Sequence, residues 1–148
     1  MQVTSSYGAE IKKQNLPVRH TLRIYRSAVE YLIRVYAECW DELLQIDHTK
    51  KRFNAAEHLV HETKKNRAVY EFDLQFPKMP SYLRRSAIQH ALGSVASYET
   101  RMSLWKSGKL TGKPKLVCEN HAMPVFYRDV MYREAGDSED AAYLKLYD

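Results

Sequence analysis

Glycine and proline are scarce in this 148-residue chain, with five of each, and cysteine is scarcer still, with two. The first shortage excludes collagen-like and linker-like compositions. The second, with Cys39 and Cys118 far apart and no Cys-x-x-Cys, gives neither a disulfide framework nor a zinc ribbon. Long apolar runs are missing too. The longest uncharged stretch reaches only from Ser86 to Tyr98 and is interrupted by Gln89 and His90, too short to span a bilayer. Met1 to Lys13 carries no apolar core behind a basic head, so no secretory signal is expected and a cytoplasmic location is the default expectation. Internal repeats and low-complexity tracts are absent as well.

Motifs of chemistry are equally lacking. No glycine-rich phosphate loop follows a strand and no Gly-x-Ser-x-Gly occurs. His58 and His61 stand at i,i+3 before Glu62, whereas a zinc-protease helix needs i,i+4 around a glutamate. They read as surface histidines, and no metal, cofactor or small-molecule substrate is expected. Cys39, beside Trp40, reads as small core filler.

What is present is an ordinary globular balance, 45% hydrophobic and 28% charged residues, enough for one domain with a real core. The net charge of +5 is unevenly spread. Residues 1–118 hold 20 Lys+Arg against 11 Asp+Glu, while 119–148 hold 3 against 7. Between Lys78 and Cys118 eight cationic side chains meet one acid, Glu99. Such an excess makes a polyanion the leading partner, because each neutralised phosphate releases condensed counterions. A basic surface that merely keeps the protein soluble is the competing reading.

Periodicity places the elements. Leu22, Tyr25, Val29, Leu32, Tyr36, Trp40 and Leu43 recur every three or four residues and predict one helix over Thr21 to Leu44. On its other side Arg26, Glu30, Arg34 and Glu38 form a solvated ladder of i,i+4 pairs. A shorter helix is expected over Asn54 to Lys65, with Asn54 and Glu57 at capping-box spacing and Ala56, Leu59, Val60 and Thr63 facing inward. Tyr70, Phe72, Leu74 and Phe76 alternate with polar residues, an extended pattern cut short by Pro77 and Pro80. A third helix, capped by Ser81 and ended by Gly108, presents Leu83, Ala87, Ala91, Val95, Tyr98, Met102 and Trp105 to the core. Weak strands are expected around Val125, Tyr127, Val130 and Tyr132, over Ala142 to Tyr147, and in Val3 to Ile11. The fold class is therefore mainly α (α+β), a bundle of about three helices flanked by short β segments.

The informative constellation is the start of the third helix, Pro-Ser-Tyr-Leu-Arg-Arg. Arg84 and Arg85 sit in its first turn, where the helix dipole disfavours cations by about 0.3 to 1 kcal/mol each. A phosphate there would reverse the sign, since orphan N–H groups and two guanidinium forks all favour an anion. Tyr82 offers a face for a base or sugar. The alternative is that Arg84 or Arg85 pairs with an acid from another segment. Arg101 and Lys106 follow along the helix, and Lys109, Lys113 and Lys115 add point charges on the loop beyond its far end, about 40 Å away. The two ends cannot share one phosphate but could follow the backbone of an extended duplex, positioning it without reading its sequence.

Residues 76–88 (Phe-Pro-Lys-Met-Pro-Ser-Tyr-Leu-Arg-Arg-Ser-Ala-Ile), 91–98 (Ala-Leu-Gly-Ser-Val-Ala-Ser-Tyr), Trp105, Gly-Lys-Pro-Lys at 112–115, Pro-Val-Phe-Tyr at 124–127 and Thr-Leu-Arg-Ile-Tyr-Arg-Ser-Ala-Val at 21–29 carry a resemblance. The chain resembles the N-terminal part of TnpB-type (OrfB) proteins, transposon-encoded "transposases" related to type V CRISPR effectors. The resemblance implies an RNA-guided DNA endonuclease in which a helical recognition insert interrupts a β-barrel ahead of a RuvC-like nuclease and a zinc ribbon. Residues 1–14 would be a β segment, 18–107 the recognition-like helical region, 108–122 a basic loop and 123–148 β segments of an incomplete barrel. The nuclease acids would lie beyond Asp148, so no catalytic residue is carried over and this chain is expected not to be an enzyme. RNA or DNA is the expected partner, with the missing nuclease portion as a further one and no membrane. The alternative is a stand-alone helical protein–protein interaction module with a basic surface.

Overall fold

The computed structural model describes residues 18–117, 121–134, 142–144 and 147. The fold is mainly helical, as the periodicity predicts. Its elements are α1 (Val18–Glu38), α2 (Trp40–Leu44), α3 (Thr49–Val60), α4 (Phe72–Gln75), α5 (Ser81–Lys106), β1 (Tyr132–Glu134) and β2 (Ala142–Leu144). Among the described residues no helix is long and apolar enough to cross a membrane.

The two long helices pack chiefly on each other. The inward stripe of α1, including Tyr25, Val29, Leu32, Ile33 and Tyr36, meets Leu83, Ile88, Ala91 and Val95 of α5, all essentially inaccessible to solvent. Ala28, Ala87 and Ala91 within this stripe are also fully buried, small side chains at the seam of two helices. Each large side chain so buried contributes roughly 1.5 to 3 kcal/mol. Ala56 and Val60 of α3 and Phe72 of α4 join this core, as do Leu43 of α2 and Ala122 and Met131 beyond α5. The Tyr36 hydroxyl, buried with them, donates to the Ala56 carbonyl at 3.0 Å. That bond links α1 to α3 and satisfies a group that would otherwise be costly to bury.

Four boundaries differ from the sequence reading. The single helix expected over Thr21 to Leu44 is broken at Cys39 (φ −106°, ψ 20°). Its ladder still bridges the break, with Cys39 N–H donating to the Val35 carbonyl and Leu43 N–H to the Cys39 carbonyl. The Cys39 thiol also donates to Val35 O at 3.3 Å, so the carbonyl is shared. The helix expected over Asn54 to Lys65 starts at Thr49 and stops at Val60. His48 caps it, its Nδ1 accepting the Lys50 N–H at 3.2 Å. Asn66 closes it from outside, donating to the carbonyls of His58 and His61 at 2.8 and 2.9 Å. The polar run Asp47 to Lys51 thus leads into a helix, and Thr63, expected to face inward, is exposed in a bridge with Asn66.

The alternation over Tyr70 to Phe76 becomes a single helical turn, α4. Phe76 N–H bonds to Phe72 O at 2.9 Å, and the two rings pack at a tilt of 37° with centroids 4.8 Å apart, with Tyr31 at 5.9 and 6.1 Å. Leu74, which an alternating strand would bury beside them, is 75% exposed. Aromatic burial at i,i+4 outweighs the two-residue pattern. Ser81 is the first residue of α5 and not its cap; Pro80 precedes it and no side chain caps this end. The far end follows expectation. Gly108 takes φ 73°, and the Gly108 and Lys109 N–H groups return to Trp105 O and Leu104 O, a left-handed termination that only glycine adopts without strain.

Of the β-prone residues around Val125 to Tyr132, Tyr132 alone stands in a strand. Asp129 (φ 64°) turns the chain before it, and β1 pairs antiparallel with β2 in the register Tyr132↔Leu144. The segments expected over residues 1–14 lie outside the described residues, as does much of 135–148. Tyr147 exchanges two hydrogen bonds with the Thr21 side chain, accepting at 2.6 Å and donating at 3.1 Å. Its hydroxyl donates to Pro77 O, tying residue 147 to the start of α1 and the approach to α5.

Candidate nucleic-acid interface

α5 carries most of the residues that the sequence singles out, and it divides them into separate groups. Arg84 and Arg85 both turn toward α3, where Glu57 stands in wait. Arg84 Nη2 lies 3.3 Å from Glu57 Oε1 and Arg85 Nε 3.5 Å from Oε2. Arg84 also reaches the Met79 carbonyl at 3.5 Å, and its side chain is only 8% exposed. Its Nε is buried without a hydrogen-bond partner. Of the two readings weighed for this pair, phosphate or an acid from another segment, the geometry of Arg84 realises the acid. Glu57, expected to close a capping box with Asn54, instead relieves two cations at the positive end of the α5 dipole.

Arg85 differs. More than half of its side chain faces solvent (54%), and its guanidinium carbon lies 5.3 Å from the centre of the Phe53 ring. Tyr82, half-buried one helical turn away, lines the same depression. This groove runs between the first turn of α3 and the outer face of α5, with Tyr127 and Val130 beside it. Sequence reasoning found Tyr82 and Arg85 but missed Phe53 and Tyr127, because nothing in a linear pattern announces that the start of α3 lies beside the start of α5.

Arg101, Lys106, Lys109, Lys113 and Lys115 form the second group. All five are exposed. Lys113 sits over the Trp105 ring at 5.4 Å, a cation–π contact that holds the loop against the end of α5. No carboxylate pairs with any of the five among the described residues. They lie toward the opposite end of a 26-residue helix from Arg85, with Arg101 roughly 24 Å and Lys106 roughly 32 Å away by helical rise, so the two groups are separate clusters of charge.

Other charges are already engaged. Of the ladder expected along α1, Arg34 and Glu30 pair at 2.6 Å, while Arg26 donates to Ala122 O at 3.1 Å. Arg52 donates to the carbonyls of Leu43 and Ile46 at 3.0 and 2.8 Å, closing the end of α2. His61 bonds Asp73 at 2.9 Å, and His58 is exposed. Among the described residues no three His, Cys, Asp or Glu side chains stand together as a metal cage needs. Burial pushes the Cys39 thiol above its ordinary range, which makes it a poor nucleophile. Burial likewise raises the Tyr25 and Tyr36 phenols.

The model of the Aq_aa04 family covers residues 5–148. No curated protein matches the chain, and no solved structure does.

Proposed function

This chain belongs to the Aq_aa04 family, and we propose that it is a non-catalytic nucleic-acid-binding module that holds RNA or DNA by the backbone. The observation that carries this reading is the cationic end of α5, where Arg101, Lys106, Lys109, Lys113 and Lys115 are exposed and, among the described residues, pair with no carboxylate. Exposed cations left unpaired repel one another, and a polyanion relieves that repulsion while releasing its counterions. Contacts of this kind position nucleic acid without selecting sequence. The motifs that resemble TnpB-type proteins lie on α1, on α5 and on the segments flanking α5, which supports placing the module as the N-terminal recognition part of such a protein, with a separate nuclease portion as its partner. The same reading places it in the cytoplasm.

Replacing Lys106, Lys109, Lys113 and Lys115 together by Gln tests it. Fluorescence anisotropy with a labelled oligonucleotide, titrated at several salt concentrations, should show weaker binding. The slope of log affinity against log salt should become shallower by roughly one unit per lost contact. An unchanged slope would rule this surface out. The second reading, a protein–protein interaction module, is favoured by Val117, Met123 and Val125, each more than half exposed. It predicts that the wild-type protein binds no oligonucleotide at low salt.

A further inference from the structure

The groove between α3 and α5 has the chemistry of a site for an unpaired base. Phe53, Tyr82 and Tyr127 bring aromatic surface to it, and Leu92 and Ala96 add apolar floor. Its rim carries Lys50 and Arg85, and among the described residues no Asp or Glu lines it. Glu57, which is not part of the lining, is shared between Arg84 and Arg85. One carboxylate for two guanidiniums leaves a net positive charge at this end. The groove is thus apolar, aromatic and electropositive together, which suits a nucleotide: the base on the aromatic and guanidinium surface, the phosphate on the rim.

Arg85 is the centre of the arrangement. Phe53 packs beneath its guanidinium and Glu57 holds Nε from one side, so a planar cation is fixed in orientation while half of it remains in solvent. Bases stack on arginine planes as they do on aromatic rings, with little regard to sequence. An arginine already immobilised loses less freedom when a base arrives. Gly93 fits the same picture, since a Cβ placed there would meet nothing within 4 Å and the helix surface beside the groove lies open to a ligand. We infer that this groove is a stacking site for an unpaired nucleobase, with Arg85 on Phe53 as its platform. The inference rests on the nucleic-acid-binding reading above and adds to it a preference for single strands.

Two variants test it without touching the lysine loop. Arg85→Lys keeps the charge and removes the plane; Gly93→Leu keeps every charge and adds an apolar side chain to the groove lining, at a position where a Cβ meets nothing within 4 Å and with a better helix former. Melting curves should show both folded, Gly93→Leu at least as stable as wild type. Each should lower affinity for a single-stranded oligonucleotide about tenfold, with an unchanged salt slope and duplex affinity held within about twofold. An oligonucleotide carrying 2-aminopurine should lose fluorescence on the wild-type protein and recover it on either variant. Unchanged single-strand affinity in both variants would overturn the stacking site while leaving the backbone-binding reading intact. Wild-type protein that binds neither single strand nor duplex would sink both. Binding of an acidic amphipathic helical peptide that Gly93→Leu abolishes, with oligonucleotide binding unaffected, would assign the groove to a protein partner instead and overturn the inference.

Discussion

The Glu57 carboxylate serves two guanidiniums at once, and the two are not equivalent. Arg84 is buried beside it with one nitrogen already unsatisfied, whereas Arg85 is half in solvent. Sequence alone places both in the first turn of a helix, where exchanging them for Gln relieves a dipole penalty and leaves stability unchanged. Burial reverses that expectation for one of them. Arg84→Gln removes half of a desolvated ion pair and should cost on the order of 3 kcal/mol in urea unfolding. Arg85→Gln breaks a longer, exposed contact and should cost less than about 1 kcal/mol. Equal losses would mean that the two arginines share one environment.

At the scale of elements, α5 is the member whose ends decide most. Its start packs against α3 and shapes the groove, and its finish throws off the basic loop. Gly108, at φ 73°, lets the last carbonyls of the helix be satisfied by the Gly108 and Lys109 N–H groups. Any L side chain pays about 1 kcal/mol or more in that conformation. Gly108→Ala should therefore lower stability by about that much and speed amide exchange in Ser103 to Lys109. Exchange elsewhere in α5 should stay slow, because the helix is held by its buried stripe and not by its end. A uniform acceleration along α5 would show that the termination matters to the whole helix.

For the molecule as a whole, two tyrosines, Tyr25 and Tyr36, are fully buried in the core, and that sets an alkaline limit. Burial raises the Tyr36 phenol most, with Cys39 and Glu57 nearby adding to it; burial raises Tyr25 as well, partly offset by its hydrogen bond to Ser86. The unfolded chain ionises its tyrosines near pH 10, while the folded chain keeps these protons to higher pH. The unfolded state then binds fewer protons, and stability falls with rising pH. Stability should hold up to about pH 9, where Cys39 begins to contribute, and decline steeply above about pH 10. Phenolate absorbance and far-UV circular dichroism should change together. Tyr36→Phe should make the decline shallower, and phenolate formation well ahead of unfolding would count against buried tyrosines as its cause.

The amino-acid order by itself determined the mainly helical class, the inward stripes of α1 and α5, the end of α5 at Gly108 and the exposed lysine loop beyond it. Each of these follows from short-range physics: the 3.6-residue period, the backbone freedom of glycine and the solvation of lysine. Tertiary structure decided what depends on partners distant in sequence. Phe72 and Phe76 could have faced one side of a strand as readily as one side of a helical turn, until Tyr31 supplied the ring against which both pack. Glu57 could have capped its own helix, until α5 brought two arginines within reach. The groove has the same origin. Phe53 is 32 positions from Arg85 in the chain, and only the packing of α3 beside α5 sets the ring beneath the guanidinium, because an aromatic face and a cation find each other in space and leave no period in the sequence.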